Sequence, residues 1–270
     1  MKGLVITALL GALLGGAACA EPAPAPALPA PVAQPAAAPP QDAALQDPPP
    51  RADSPIAAPA PVERRFGHFP YAEGVDLKGG VCAHADPERT RLKPDAAAAL
   101  ARMTEAARAA GVSLNPSSCF RSIDSQRRLF TCVDGGDTGC AGGRLVSEAR
   151  RATAVAPPGF SEHATGYAID FFPGREDLRD AACPTRAACT VTPAFARAPS
   201  GRWLAAHAHA FGFEQSFFAG STQGVMVEPW HYRFVGSPEA RAVFREARTA
   251  HPPPKPGAPL TPQDAPSPAR

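Results

Sequence analysis

The segment from residue 161 to residue 172 has the sequence SEHATGYAIDFF, which joins polar, metal-competent side chains to an apolar run. Apolar and aromatic residues flank Asp170 on both sides, a pattern that predicts a buried strand. A carboxylate buried there without a partner is costly, so Asp170 needs an arginine, a turn N–H or a metal ion beside it. His163 precedes Asp170, and Gly166 permits a close turn between the two. The segment therefore predicts either a structural ion pair or turn cap, or a metal site built on His163 and Asp170.

A second segment, residues 225–234, has the sequence VMVEPWHYRF and places Glu228 and His231 among apolar and aromatic residues. Burial raises the pKa of a glutamate and favours a neutral histidine, which are the states of a general base and of a zinc ligand. A lone histidine in such a run is more often a hydrogen-bonded core residue than a ligand. The whole set of two histidines, one aspartate and a separate glutamate matches a catalytic zinc site that keeps its fourth position for water.

The spacing of apolar residues predicts a helix from Pro94 to Gly111, with proline in its first turn and glycine at its end. Two further helices are predicted over residues 202–211 and from the N-cap Ser237 to about residue 247. Short apolar runs predict strands at residues 112–114, 167–172, 225–227 and 232–235. Because strands and helices do not alternate as in βαβ units, the pattern favours an α+β fold with a small, mostly antiparallel sheet flanked by helices.

Composition divides the 270 residues into one domain and proline-rich flanks, which hold most of the 34 prolines. Few charges and no aromatic residues occur in the Ala/Pro-rich segment, so it is predicted to be a disordered linker. The predicted order is a signal peptide (residues 1–20), an Ala/Pro-rich linker (21–63), one domain (64–250) and a Pro-rich disordered tail (251–270).

The first segment has the short apolar core and the small residues of a secretory signal. Cleavage after Ala20 and lipidation at Cys19 are both open. No later apolar run approaches the roughly 20 residues of a membrane span, so no transmembrane span is expected in the mature chain. We expect an exported protein of the periplasm or cell envelope, with or without a lipid anchor. The net charge of +2 offers no electrostatic case for a nucleic-acid partner.

Six cysteines follow Cys19, an even number that indicates disulfides in an oxidising compartment. They are Cys82, Cys119, Cys132, Cys140, Cys183 and Cys189. Short separations favour the pairs Cys132–Cys140 and Cys183–Cys189 and leave Cys82 for Cys119, which is one of fifteen connectivities that six cysteines allow. The rival interpretation is a zinc site with cysteine ligands, but the chain contains no C-x-x-C pair.

Other candidate groups fit a catalytic role less well. Ser122 and Ser161 suggest a serine hydrolase, but the chain has no G-x-S-x-G elbow. His68, His84 and His251 lie in proline-rich or charged flanks and are predicted to be solvated.

Both segments resemble the signatures of the VanY-like zinc D-alanyl-D-alanine carboxypeptidases. Residues 161–170 fill every fixed position of S-x-H-x-x-G-x-A-x-D, and residues 228–231 fill those of E-x-W-H. A third feature of the family, an aromatic-Arg-Ser segment followed by Gln, is matched by residues 120–122 and by Gln126. The resemblance runs from about residue 92 to residue 234 in the family's order. It implies the fold that these peptidases share with the Hedgehog signalling domain.

The resemblance also implies a zinc centre with one Zn²⁺ per domain. By this likeness His163, Asp170 and His231 would bind the metal. Glu228 would be the catalytic general base, which deprotonates a zinc-activated water and later passes the proton to the leaving amine. Both roles agree with the physical chemistry of a glutamate held beside zinc.

Three further roles follow from the likeness. Arg121 would be catalytic and would also contact the substrate, because a fixed guanidinium beside the scissile carbonyl stabilises the developing oxyanion. Ser161 and Gln126 would bind substrate. Peptidoglycan stem peptides are the implied partners.

The function predicted from the resemblance is an exported zinc carboxypeptidase that removes the C-terminal D-alanine from peptidoglycan stem peptides. The alternatives are a peptidoglycan endopeptidase or an L,D-carboxypeptidase with the same site, and a non-catalytic, zinc-stabilised module that binds the cell wall. Glu228 and Arg121 argue against the last, since a structural zinc requires neither. The cysteine-containing stretches 132–140 and 180–190 are expected to form pinned loops that shape the substrate cleft.

Overall fold

The computed structural model describes residues 67–136 and 138–254 of the chain. The predicted signal peptide, the predicted Ala/Pro-rich linker and residues 255–270 of the predicted tail lie outside the described residues. Within the described part, no helix combines the length and the apolar character needed to cross a membrane.

The first long helix, α1, spans Pro94–Ala109 and agrees with the sequence pattern. Proline occupies the first turn, where its missing N–H costs nothing. The residues predicted to share one face are all buried, namely Ala96, Leu100, Met103 and Ala107. Burial of this stripe against the sheet, rather than helix propensity, supplies most of the stability of such a helix.

The main sheet has four strands in the spatial order β1-β4-β6-β5, with every neighbouring pair antiparallel. The strands are β1 (Asn115–Ser118), β4 (Ala168–Phe172), β5 (Phe213–Gln215) and β6 (His231–Phe234), and the separate hairpin consists of β2 (Cys140–Ala141) and β3 (Arg144–Leu145). Ile169 and Phe171 of β4 are fully buried in the same core cluster as α1. Because side chains alternate along a strand, Asp170 between them faces the opposite side of the sheet. The predicted α+β fold is confirmed.

Shorter helices surround this sheet. The α-helices are α2 (Ile123–Phe130), α3 (Glu148–Ala152), α4 (Arg186–Cys189), α5 (Pro199–His207), α6 (Pro238–Val243) and α7 (Arg245–Ala250). Short 3₁₀ helices lie at Pro87–Thr90, Glu162–Thr165, Asp177–Arg179, Pro193–Arg197 and Ala208–Phe211. The predicted cap is present, since the Ser237 hydroxyl accepts a hydrogen bond from the N–H of Ala240. The helix predicted to follow it is divided at Phe244.

Two strand predictions are wrong. Residues 112–114 do not form a strand, because the N–H of Val112 donates to the carbonyl of Ala107 and completes the end of α1. Residues 225–227 form an irregular segment in which the N–H of Met226 donates to the carbonyl of Thr153. In the first place a local bond at the helix end, and in the second a tertiary bond, takes the backbone group that a strand would have used.

Three disulfides join Cys82 to Cys119, Cys132 to Cys140 and Cys183 to Cys189. This is the pairing that the sequence separations favoured. The Cys82–Cys119 bond joins the segment before α1 to the end of β1, and the other two close short loops.

Candidate metal centre and active site

The register of the sheet brings two of the predicted metal ligands together. Asp170 on β4 lies directly opposite His231 on β6, so their side chains project from the same face. His163 comes from the 3₁₀ helix Glu162–Thr165, which ends at Gly166 with φ 75°. The positive φ favours glycine there, and a Cβ atom would also lie 2.4 Å from Leu77 Cδ2 and displace that side chain. One potential ligand atom from each of His163, Asp170 and His231 lies within 4.8 Å of the others, and all three residues are buried.

Each histidine ring is held with one nitrogen toward Asp170 and the other toward an anchor. Nε2 of His163 lies 3.2 Å from Asp170 Oδ2, and its Nδ1 lies 2.5 Å from the carbonyl oxygen of Cys119. Nδ1 of His231 lies 2.9 Å from Asp170 Oδ1, and its Nε2 lies 3.0 Å from Glu162 Oε2. Two anchored imidazoles and one carboxylate, with their inner atoms converging, are a donor set that fits zinc.

Electrostatics in this cluster favour an ionised aspartate. Burial alone would raise the pKa of Asp170, but His163 and His231 outweigh it and hold that pKa far below its ordinary value. Burial alone would lower the pKa of His231, but hydrogen bonds to Asp170 and Glu162 outweigh it and raise that pKa to about 10. In the metal-free protein, His231 therefore carries a proton that a bound metal ion would replace.

Glu228 lies beside the cluster in the turn that leads into β6. Its N–H donates to the carbonyl of Phe217 at 2.9 Å, and its carbonyl accepts from the N–H of His231 at 3.1 Å. The side chain is buried, and loss of hydration raises the pKa of its carboxyl group to about 8, against the opposing effect of His231. Trp230, next to His231, is buried in the core and fixes this turn.

Arg121 follows β1 and is also buried. Its backbone N–H donates to the carbonyl of His163 at 3.2 Å, and its Nη1 donates to Gln126 Oε1 at 2.8 Å. The Gln126 amide in turn donates to the carbonyl of Ala156 at 2.7 Å. Burial lowers the pKa of Arg121 to about 10, a shift that Asp170 opposes, so the guanidinium stays charged at neutral pH.

One cavity of about 580 Å³ is lined by all seven residues to which the sequence assigned metal, catalytic or substrate-binding roles. They are Arg121, Gln126, Ser161, His163, Asp170, Glu228 and His231. The cavity has the size of a ligand-binding cleft. Asp134 and Thr138, from the loop closed by Cys132–Cys140, also line it, as does Val191 just after Cys189. The first disulfide-closed stretch, residues 132–140, thus lies at the cavity wall, whereas the second, residues 180–190, contributes no lining residue and reaches the cavity only through the Val191 that follows it.

Sequence reasoning missed two buried residues of this site. His68, predicted to be solvated, is 3% exposed, and its Nε2 lies 2.8 Å from the carbonyl oxygen of Ala152, so that prediction is wrong. Glu162 was passed over between Ser161 and His163, although it contacts the His231 ring. A signal for Glu162 existed in Arg233, because an arginine inside an apolar strand requires a buried carboxylate partner, by the argument applied to Asp170.

The small antiparallel sheet thus carries a buried His–Asp–His cluster that could hold a metal ion, with a glutamate and an arginine in the same cavity. The family model "VanY: D-alanyl-D-alanine carboxypeptidase" matches residues 89–237, more than half of the chain. The chain belongs to the VanY D-alanyl-D-alanine carboxypeptidase family.

Among curated proteins, the chain is 28% identical over 158 residues to "Putative carboxypeptidase YodJ" of Bacillus subtilis (strain 168). The match covers 58% of this chain and 50% of YodJ. It is 29% identical over 146 residues to a D-alanyl-D-alanine carboxypeptidase of Enterococcus faecalis (strain ATCC 700802 / V583), covering 53% of this chain and 47% of the relative. The chain thus spans about half the length of these curated relatives. Among solved structures, it resembles the LdcB LD-carboxypeptidase with 26% identity and a TM-score of 0.48, covering 67% of this chain and 76% of that one.

Proposed function

We propose that this protein is a zinc-dependent carboxypeptidase of the cell envelope that removes the C-terminal D-alanine from peptidoglycan stem peptides. The observation that carries the proposal is the cavity that holds the His163–Asp170–His231 cluster together with Glu228 and Arg121. A metal that only stabilised the fold would need neither a glutamate with a raised pKa nor a buried guanidinium at its side.

Zinc fits the cluster, and His163, Asp170 and His231 would hold one ion. When bound, zinc supplies a Lewis acid that brings the pKa of a water to about 7 and polarises a carbonyl group. Asp170 contributes the negative charge of the site, since its pKa is held far below neutrality. The Cys119 carbonyl holds the His163 ring from behind and keeps its Nε2 directed toward Asp170.

Glu228 acts as the general base in this proposal. One of its carboxylate oxygens takes a proton from the attacking water and then donates it to the nitrogen of the departing D-alanine. In the metal-free protein burial raises the pKa of Glu228 to about 8, and a group that accepts and releases a proton works best when its pKa lies near the working pH. The hydrogen bonds to the backbone of Phe217 and His231 keep Glu228 at one place in the cavity.

Arg121 stabilises the charge that develops on the scissile carbonyl oxygen. Gln126 holds the guanidinium through Nη1. A preorganised, buried cation of this kind costs no reorganisation when the charge develops. Ser161, which lines the same cavity, is proposed to bind the substrate, and Gln126 is proposed to act through Arg121 as well as by bordering the substrate.

The proposal includes the predicted organisation of the chain. Residues 1–20 would direct export, residues 21–63 would link the domain of residues 64–250 to the envelope, and residues 251–270 would form a tail. Disulfides agree with an oxidising compartment.

The test uses the purified protein with synthetic stem pentapeptide and tetrapeptide, followed by mass spectrometry. Loss of one alanine that a chelator stops and added Zn²⁺ restores is the expected result. If the pentapeptide is the better substrate, the specificity is D,D. If the tetrapeptide is the better substrate, the specificity is L,D. Glu228→Gln should bind zinc without turnover, and Glu105→Gln, an exposed carboxylate on α1, should match the wild type.

Two outcomes contradict the proposal. Cleavage of cross-linked peptides alone would assign the protein to the endopeptidases. A protein that binds zinc and leaves every peptide intact would be a cell-wall binding module.

A further inference from the structure

Glu162 is an enclosed carboxylate whose side-chain partners include His231, Ser216 and Arg233. Its Oε2 lies 3.0 Å from His231 Nε2 and accepts a hydrogen bond from the hydroxyl of Ser216. Its Oε1 accepts a hydrogen bond from Arg233 Nη1 at 2.8 Å. The residue is 4% exposed, so water cannot substitute for these partners. Glu162 anchors His231, one of the three candidate metal ligands.

We propose that Glu162 is a positioning residue that holds the His231 imidazole with its proton on Nε2 and its Nδ1 directed to the metal. The inference rests on the proposed function, because it assumes that the His163–Asp170–His231 cluster binds zinc. It adds to that function a residue at an unfixed position of the first signature, which acts on the metal through another side chain.

An ionised carboxylate only accepts hydrogen bonds, so the His231 nitrogen that faces Glu162 must carry the proton. A neutral imidazole then has its lone pair on Nδ1, the nitrogen that lies 2.9 Å from Asp170 and faces the cluster. A carboxylate behind a histidine ligand fixes the ring tautomer and raises its basicity.

The surroundings of Glu162 keep it ionised and in place. Arg233 is 2% exposed and bridges two carboxylates, since its Nη1 donates to Glu162 and its Nε donates to Glu214 Oε1 at 2.8 Å. Glu214 also accepts a hydrogen bond from Arg248 on α7 at 3.0 Å. Alternating charges thus run from the metal cluster to α7. Arg233 and Ser216 thus both donate hydrogen bonds to Glu162, which favours its ionised form.

Glu214 offers a matched control for a purely structural role. Both glutamates pair with Arg233, but only Glu162 contacts His231. If Glu162 served only to neutralise Arg233, replacing either glutamate would have a similar effect. If Glu162 positions His231, replacing Glu162 alone should change metal binding.

Glu162→Gln tests the tautomer directly because glutamine keeps the shape of the side chain. Arg233 needs an acceptor, so the amide oxygen should face Nη1 and the NH₂ group should face His231 and Ser216. A donor opposite Nε2 favours the tautomer with the proton on Nδ1, where the metal should bind. Zinc can then bind only by removing the proton from Nδ1, against the preferred tautomer.

The experiment measures zinc affinity of the full chain by competition with a chromophoric chelator for the wild type, Glu162→Gln and Glu214→Gln. We expect Glu162→Gln to bind zinc about 10- to 100-fold more weakly, the range typical for loss of such a partner. Glu214→Gln should bind zinc as the wild type does. In the zinc-loaded wild type and Glu214→Gln, ¹⁵N–¹H NMR of the histidine rings should show a slowly exchanging Nε2 proton on His231, and in zinc-loaded Glu162→Gln this proton should exchange faster because its carboxylate acceptor is gone.

Equal zinc affinity of Glu162→Gln and the wild type would overturn the inference and leave the proposed function intact. Equal losses in Glu162→Gln and Glu214→Gln would assign Glu162 a packing role only. A wild-type protein that binds no zinc would overturn the proposed function and this inference together.

Should Glu162→Gln not fold, Ser216→Ala removes one hydrogen bond from the same carboxylate oxygen without a change of charge. It should weaken zinc binding and shift the His231 Nε2 proton resonance. No change in either quantity would overturn the inference.

Discussion

Burial of the Glu228 carboxylate should make the metal-free protein less stable as the pH rises. The pKa of this group is raised from 4.5 to about 8, mainly because the carboxylate loses its hydration. A carboxyl whose pKa is raised by folding stabilises the folded state below about pH 4.5, and this contribution is lost as the pH rises toward 8. Glutamine has nearly the same shape and no charge, so Glu228→Gln should remove this pH dependence.

The magnitude follows from the two pKa values. The interval from 4.5 to about 8, at about 1.4 kcal/mol for each pH unit, corresponds to an upper value of about 5 kcal/mol. The free energy of unfolding of Glu228→Gln minus that of the wild type should therefore increase by up to about 5 kcal/mol between pH 4.5 and pH 8. Any packing effect of the amide is present at both pH values and cancels in this comparison.

The assay is urea unfolding of both chelator-treated proteins, with disulfides oxidised, at several pH values in this range. Glu105→Gln on α1 removes an exposed carboxylate and serves as the control, with little expected pH dependence. The same Glu228→Gln protein, loaded with zinc, should lose turnover by about 100-fold or more. A difference in unfolding free energy that stays constant within about 1 kcal/mol from pH 4.5 to pH 8 would refute the claim that Glu228 is buried as a high-pKa carboxyl group.

Three further predictions concern the metal and its support. Arg121→Ala should lower kcat by about 100-fold with little change in zinc affinity, as steady-state kinetics and chelator competition will show; an unchanged kcat excludes the oxyanion role. Zinc binding should release about one proton, and zinc affinity should rise about tenfold per pH unit below pH 10, because His231 with a pKa of about 10 must lose its proton. Calorimetry in buffers of different ionisation enthalpy measures the number of protons released. The absence of proton release contradicts this prediction. Replacing Cys82 and Cys119 together by serine should lower the free energy of unfolding by about 2–4 kcal/mol. It should also weaken zinc binding, since the Cys119 carbonyl anchors His163; wild-type zinc affinity in a destabilised double variant would show that the anchor does not depend on the disulfide.

Several features of the fold were predictable because their causes are local. The apolar stripe of α1, from Ala96 to Ala107, has helical spacing, and its burial follows from that spacing alone. Ser237 followed by proline predicts a helix start, and the cap is present. The strand around Asp170 was predictable from its apolar neighbours, and its partner strand at His231–Phe234 from a similar run.

The errors have two causes, a helix end that extends into the next segment and contacts between distant segments. Val112 has strand propensity, but its N–H is taken by the end of α1, so the strand begins later, at Asn115. His68 lies in a segment with no apolar periodicity, and it is buried beside Phe217 and against the carbonyl of Ala152. Such burial is set by distant chain segments, which no local pattern records.

By itself, the sequence determined the candidate ligands His163, Asp170 and His231, the glutamate beside them and the family to which the chain belongs. These predictions follow from residue types at short, regular spacings, because the chemistry of a side chain is known without knowledge of its neighbours in space. Only the tertiary structure decided which ring nitrogen faces the cluster, that Glu162 stands behind His231, and that Arg233 and Glu214 extend the charges outward to α7. Orientation depends on which groups surround a side chain in space, and the antiparallel pairing of β4 with β6 brings those groups together from distant parts of the chain.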